Sequence, residues 1–267
     1  MPVRIVQSKQ NARLKELRRA FAHPGPAAAA GLAGIEGPNM IAEALRAGLR
    51  IGCIFAAQGA ERLLDSLDLP PETEILILPK DLLESALATE TPQPIAALVE
   101  PPNWTWSHIL SQGQKKTLIV VLAGLQDPGN LGTILRSAEA FGATGVLNLP
   151  GTVSAWNPKA VRASAGSVFR VPLLAASPDE CFKRLRKTGV KLWTTALREA
   201  EPAHRINLAA PVALLIGNEG NGVPAELAAQ AGGAVTIPCP GPVESLNAAV
   251  ATGILLYEAA RQRKDTQ

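Results

Sequence analysis

With 267 residues, 47% of them apolar, the chain is long enough to bury one large core or two modest ones without disulfide or metal staples. No stretch approaches the roughly 20 uninterrupted apolar residues of a bilayer span, and the polar start MPVRIVQSKQNARLK does not read as a secretory signal, so a cytoplasmic protein is expected. The net charge is only +3 but uneven: residues 1–50 hold eight basic and three acidic side chains, residues 51–116 four and nine, and residues 117–267 fourteen and eleven.

From Ser8, which has the chemistry of an N-cap, Leu14, Leu17 and Phe21 recur at spacings of three and four and predict a helix with one apolar stripe. Lys9 and Arg13 then share another face. Together with Arg4, Lys15, Arg18 and Arg19 they face a single Glu16 within the first twenty residues. That balance suits a polyanion, and equally a solvated helix surface. Residues 22–34, with an alanine run at 27–30, read as a Pro/Gly/Ala connection. NMIAEALRAG predicts a helix ending at Gly48, IGCIFAA a buried strand, EILILP (74–79) another strand, KDLLESALA a helix and PIAALVE (94–100) a further strand. This makes an α/β unit of 1–105.

Residues 101–116, PPNWTWSHILSQGQKK, have no sustained periodicity. The domain boundary is placed there, with a linker at 106–116 and a second domain at 117–267. Trp104 and Trp106 have two uses open to them, stacking on bases or pinning the linker to a domain; we take the second. From Thr117 strands and helices alternate: TLIVVLAGL, a helix at 131–141, GVLNLP, a helix around PKAVRASA, VPLLA, the helix DECFKRLRKTG, VKLWTTAL and VALLIGNEG. PAELAAQA follows as a helix with Pro224 at N1, then the strand AVTIPCPG and the long helix SLNAAVATGILLYEAARQR. Near-continuous apolar strands separated by helices imply a parallel sheet covered on both faces.

Ligands of open parallel sheets lie beyond the carboxyl ends of the strands. Three loops fall there: QDPGNLGTILR, IGNEGNGV and IPCPGPVESLN. None has the spacing of a dinucleotide fingerprint or a P-loop. Gly217, Gly220, Gly222 and Gly241 permit tight turns instead, and turned backbone offers N–H and C=O groups to an adenine or a ribose. Cys53, Cys181 and Cys239 are far apart and fit buried apolar roles in a reducing compartment, and the scattered His23, His108 and His204 suggest no metal site. Ten aromatic residues in the whole chain leave little for base stacking, so affinity for a polyanion such as a nucleic acid would rest on charge contacts and fall with salt.

In combination the loops are far more specific. NLGTILRSAEAFGATGV, LLIGNEGNGV and IPCPGPVESLNAAVATGILLYE occur in this order and together resemble the three motifs of the SpoU/TrmH family of RNA 2′-O-ribose methyltransferases, over nearly all of residues 117–267. SKQNARLKELRR and the GIEG…AEALRAG segment are similar to the small ribosomal-protein-like substrate-binding domain that many members carry, although AAAAGLAGIEG is richer in alanine than the bulky strand usual there. The resemblance implies a parallel-sheet catalytic domain closed by a SPOUT-type trefoil knot, S-adenosylmethionine as cofactor, and a homodimer whose active sites draw on both subunits. It places Gly217, Ile237 and Leu246 against the cofactor through backbone groups, and Asn130, Arg136, Glu219, Ser245 and Asn247 on the catalytic side. Lys9, Arg13, Lys15, Arg18 and Arg19 are the expected RNA contacts.

The implied activity is methyl transfer to a ribose 2′-hydroxyl of structured RNA, ribosomal in preference to transfer RNA because of the separate N-terminal domain. A non-catalytic ribosome-assembly factor of the same fold and a base-nitrogen methylase are the alternatives. A 2′-hydroxyl is a very weak acid, and Arg136 offers it a fixed cation and a planar donor fork. A guanidinium rarely gives up its proton in a protein, so orientation and charge stabilisation are expected of it, not base catalysis. Asn130 and Asn247 would orient the hydroxyl and Arg136, and Glu219 would pair with an arginine or hold its loop. As plain structural roles, Asn130 and Ser245 would each cap the helix that follows.

Overall fold

The structure, a computed structural model, describes residues 1–25, 31–87, 89–110 and 117–264. The alanine run at 27–30 and residues 111–116 of the expected linker lie outside them. The chain forms two compact units, Met1–Asn103 with Ser154–Phe169, and Trp104–Val153 with Arg170–Gln267.

In the first unit, β1 (Val3–Ile5), α1 (Ala12–Ala22), β2 (Ala33–Glu36), α2 (Pro38–Arg46), β3 (Ile51–Ala57), β4 (Glu74–Leu78), α3 (Lys80–Glu84) and β5 (Ile95–Val99) follow in order. The sheet order is β1-β4-β3-β5-β2, with β5 antiparallel to both neighbours and the remaining pairs parallel. Leu14, Leu17 and Phe21 of α1 are buried as their spacing predicts, in one core with Phe55, Leu76 and Leu98. The helix starts later than expected, because Asn11, not Ser8, caps it by accepting from the Leu14 N–H at 3.2 Å. Ser8 accepts locally from the Gln10 N–H. Lys9 therefore precedes the helix and shares no face with Arg13.

The basic segment is also less free than its composition suggests. Arg13 pairs with Glu16 at 2.9 Å and with Glu74 at 3.2 Å, and Arg4 reaches Glu74 at 3.5 Å. Arg18 donates to the Lys9 carbonyl and to Ser85 Oγ. Glu74 is remote in sequence and arrives because β4 pairs with β1. Lys9, Lys15 and Arg19 stay exposed.

Three residues of the GIEG stretch have reasons of their own. At Gly34 a Cβ would lie 2.6 Å from the Phe21 ring, and Gly37 opens α2 at φ +89°. Glu36 between them is buried. It accepts from Thr89 Oγ1 at 3.1 Å and from the Gln93 N–H at 3.3 Å, and its other oxygen faces Arg162 Nη1 at 3.5 Å. A buried carboxylate needs such partners.

The second unit begins with α4 (Trp106–Ile109), β6 (Leu118–Leu122), α5 (Pro128–Ala140) and β7 (Gly145–Asn148). The chain then makes an excursion, Ser154–Phe169, that carries α6 (Pro158–Ser164) onto β2 and belongs to the first unit. There follow β8 (Leu173–Ala175), α7 (Pro178–Lys187), β9 (Lys191–Thr195), β10 (Glu201–Pro202), β11 (Val212–Ile216), α8 (Ala225–Ala228), β12 (Ala234–Thr236) and α9 (Ala248–Lys264). The seven strands lie in the order β10-β12-β9-β11-β6-β7-β8, and every pairing is parallel. β6 and β11, side by side near the middle, are buried at every position, which explains their unbroken apolar runs. Pro224 is the N-cap of the one-turn α8, not its first helical residue.

The start of the linker is pinned to this unit, as taken from the sequence. Ile109 is fully buried, Trp106 packs on the same core with the Arg184 guanidinium 4.8 Å above its ring, and Trp104 sets its ring edge-on to His108. No described helix is long and apolar enough to cross a membrane.

Replacing Gly34 with Ala forces a methyl group into the Phe21 ring within a filled core. A loss of about 1–3 kcal/mol is expected from urea unfolding, the usual cost of overpacking; unchanged stability would show that the Phe21 contact does not require glycine.

Candidate active site

The carboxyl ends of β6, β11 and β12 emerge on one edge of the sheet, because all its pairings are parallel. After β6 the chain turns at Gly124, φ +74°, and enters α5 through Asp127 and Pro128. Asp127 is the N-cap, accepting from the N–H groups of Gly129 and Asn130. This corrects the capping role considered for Asn130, whose carboxamide is free for other work.

That work joins three loops. Asn130 Nδ2 donates to Glu219 Oε1 at 3.0 Å, and Asn130 Oδ1 accepts from Asn247 Nδ2 at 2.9 Å. The Glu219 carboxylate also accepts from the backbone N–H groups of Asp127 at 3.1 Å and Gln126 at 3.3 Å. Burial alone would push the Glu219 carboxyl up, but the bonds from Asn130 and from the N–H groups of Glu219, Asp127 and Gln126 outweigh it and hold it below the ordinary carboxylate value. Of the two roles expected for Glu219, holding the loop is the one observed, and no arginine pairs with it among the described residues.

Asn247 in turn caps α9, its Oδ1 accepting from the N–H groups of Ala249 and Val250. It displaces Ser245 from that role. Ser245 is exposed and has no hydrogen bond among the described residues. Arg136 lies six residues beyond Asn130, about 9 Å further along the helix axis. It is exposed and makes no ion pair or hydrogen bond among the described residues, so the asparagines orient each other and not Arg136.

Gly217, directly after β11, is buried, and a Cβ there would lie 2.0 Å from the Gly222 carbonyl carbon. The reason is the closed turn that follows. Asn218 N–H donates to Gly222 O at 3.0 Å, Gly222 N–H donates back to Asn218 O at 2.9 Å, and Gly222 adopts φ +66°. Ile237 and Leu246 are half-buried at the two ends of the segment leaving β12. Between them, residues 238–246 make no backbone-to-backbone hydrogen bond among the described residues, and Pro238, Pro240 and Pro242 carry no N–H. Unspent backbone acceptors and donors beside a tight glycine turn fit a ligand with the mixed edges of an adenine and a ribose.

One further feature was not read from the sequence. Sheet order sets β9 between β11 and β12, so its exit at Thr195–Leu197 falls between the turn after β11 and the segment after β12, with Leu197 exposed. The strand was legible, its neighbours were not. Of the three thiols expected to be buried, Cys53 and Cys181 are, and burial pushes both up to about 12; the expectation fails for Cys239, which is exposed because the chain has left β12 by that point. Among the described residues no group of three His, Cys, Asp or Glu side chains is placed to hold a metal ion.

Residues 117–257 match the sequence model of the SpoU rRNA Methylase family, and residues 35–105 match that for RNA 2′-O ribose methyltransferase substrate binding. The chain belongs to the SpoU rRNA methylase family. It is similar to the 23S rRNA (guanosine(2553)-2′-O)-methyltransferase RlmP of Bacillus subtilis, 34% identical over 223 residues, 84% of this chain and 86% of that protein. It is also similar to the 23S rRNA (guanosine-2′-O-)-methyltransferase RlmB of Xanthomonas campestris pv. campestris, 38% identical over 156 residues, 58% of this chain and 63% of that protein. Among solved structures, the AdoMet-bound rRNA methyltransferase from Sinorhizobium meliloti matches with a TM-score of 0.82 at 30% identity, over 97% of this chain and 98% of that one. The SpoU methyltransferase AviRb from Streptomyces viridochromogenes, in complex with AdoMet, matches with a TM-score of 0.82 at 29% identity, over 96% and 99%. In this SpoU methylase the residues expected on the catalytic side divide by chemistry. Asn130, Glu219 and Asn247 spend polar groups on one another and on loop backbone, while Arg136 and Ser245 keep theirs.

Proposed function

We propose that this protein methylates a ribose 2′-hydroxyl of structured RNA at the expense of S-adenosylmethionine, with a guanosine of 23S ribosomal RNA as the substrate class. The names of the relatives support the substrate. The observation that carries the reading is the Asn130 carboxamide bonded to both Glu219 and Asn247, because it draws three strand-end loops into one site.

Gly217, Ile237 and Leu246 would hold the cofactor through the backbone of their turns. When bound, S-adenosylmethionine supplies a methyl carbon on a sulfonium whose leaving group departs neutral, and the rest of the chemistry falls to the chain. Arg136 has an unspent guanidinium fork, suited to clamp the phosphate next to the target ribose and to stabilise charge developing on the 2′-oxygen. It does not act as base. Glu219 is equally unsuited: its carboxylate is occupied by N–H donors that hold its basicity down. The proton therefore leaves to water, and the protein contributes alignment and charge. Ser245, with its hydroxyl unspent at the approach to α9, contacts the ribose.

Lys9, Lys15 and Arg19 are the phosphate contacts on the first unit; Arg13 and Arg18 brace the fold. The protein works as a homodimer in the cytoplasm. α9 supports the dimer: Thr252, Leu255, Leu256 and Ala259 are buried on one face, while Val250, Ile254 and Tyr257 form an exposed stripe at helical spacing on the other. The return of α9 to α5, with the bond from Asn247 to Asn130, is compatible with the knot expected of the family.

Arg136→Ala is expected to keep its affinity for S-adenosylmethionine in calorimetry and to lose at least about 100-fold in methyl transfer to a 23S RNA fragment, the lower range for removing an electrostatic donor. Near-normal turnover would refute the role. Ile254→Glu places a charge in the α9 stripe and should sediment as a monomer where the unaltered protein sediments as a dimer; a monomeric unaltered protein would remove the dimer from the scheme.

A further inference from the structure

We infer that Asn218 is a positioning residue for methyl transfer, setting the register of the 217–222 turn against the loop that carries Asn130. The inference rests on the proposed function above, and goes beyond it in assigning work to a residue that lies within the second motif but outside the expected cofactor and catalytic residues.

The side chain does two different things. Its Oδ1 accepts from the N–H groups of Gly220 at 2.8 Å and Asn221 at 3.3 Å, bonds that shape the turn itself. Its Nδ2 leaves the turn and donates to the carbonyl of Gly124 at 2.9 Å, across 94 residues of sequence. Gly124 is anchored in turn: its N–H donates to Thr152 Oγ1 at 3.2 Å, and that hydroxyl donates to Leu122 O at 3.0 Å. A file of bonds thus runs from the turn after β11, through the exit of β6, to the loop after β7.

The next residue, Glu219, is bonded to Gln126, Asp127 and Asn130 of the same loop. Adjacent side chains therefore hold residues 124–130 from both ends, Asn218 at Gly124 where the strand exits and Glu219 at Gln126, Asp127 and Asn130 toward the helix. The cofactor-side turn closes on itself through Asn218 and Gly222 whether or not the Gly124 bond exists. What that bond sets is where the turn stands relative to α5, and hence to Arg136. Displacing reacting groups by about 1 Å costs on the order of 100-fold in rate, with little reason for the turn to lose its ligand.

Only a carboxamide serves both ends. Aspartate keeps two acceptors for the Gly220 and Asn221 N–H groups but presents an oxygen to the Gly124 carbonyl, where a donor is needed. Asn218→Asp thus separates positioning from turn formation at nearly constant shape, and Asn218→Ala removes both.

The experiment compares the full-length protein with Asn218→Asp and Asn218→Ala, reading S-adenosylmethionine affinity by calorimetry and the single-turnover rate on a 23S RNA fragment at saturating cofactor. For Asn218→Asp we expect affinity within about threefold of the unaltered protein and a rate lower by at least about tenfold, and for Asn218→Ala losses in both. An Asn218→Asp protein with an unaltered rate overturns the inference, since turn formation alone would then account for the residue. An Asn218→Asp protein that loses affinity as fully as Asn218→Ala, with its saturated rate intact, overturns it as well. Failure of the unaltered protein to bind S-adenosylmethionine would instead strike the proposed function, and the inference with it.

Discussion

The site depends on one two-ended interaction: the Asn130 carboxamide donates to Glu219 and accepts from Asn247. Its partners stand 89 and 117 residues away along the chain. The parallel sheet meets the cost of gathering such distant segments, because it already delivers the exits of β6, β11 and β12 to one edge. What remains is local and is done by hydrogen bonds for which one carboxamide supplies both the donor and, on a separate atom, the acceptor. Asn247 also caps α9, so the last helix begins where the site is sealed.

Polar groups here are divided between holding and reacting. Asn130, Asn218, Glu219 and Asn247 are turned inward on the loops, and each is satisfied by partners within the chain. Arg136 is not, and its charge is permanent. A weakly acidic hydroxyl needs alignment and a fixed field more than it needs a base, and the arrangement supplies both. Glu219 illustrates the point. Of the two roles open to it in the sequence, pairing with an arginine or holding its loop, the carboxylate takes the second, occupied by backbone N–H donors and the Asn130 amide.

Much of this was legible from residue order. The buried strands β6 and β11 announced themselves as apolar runs, and the glycines at 217 and 222 as turns, since neither a Cβ at Gly217 nor the φ of Gly222 suits another residue. Caps were misjudged by a few residues. Asn11, Asp127 and Asn247 won over Ser8, Asn130 and Ser245 because the helix start is set by which side chain reaches a free N–H in space. Strand pairing was beyond reach, and with it the neutralisation of Arg4 and Arg13 by Glu74 and the position of β9 between β11 and β12. Nor does chain order show that Ser154–Phe169 joins the first unit, where Arg162 faces the buried Glu36.

If one amide truly unites the three loops, its two partners must be energetically coupled although they do not touch the same atom. The most direct measurement is a double-mutant cycle of Glu219→Ala and Asn247→Ala, read as single-turnover methylation rates. Coupling of at least about 1 kcal/mol is expected, and additivity within about 0.5 kcal/mol would show that the loops act independently and contradict the account.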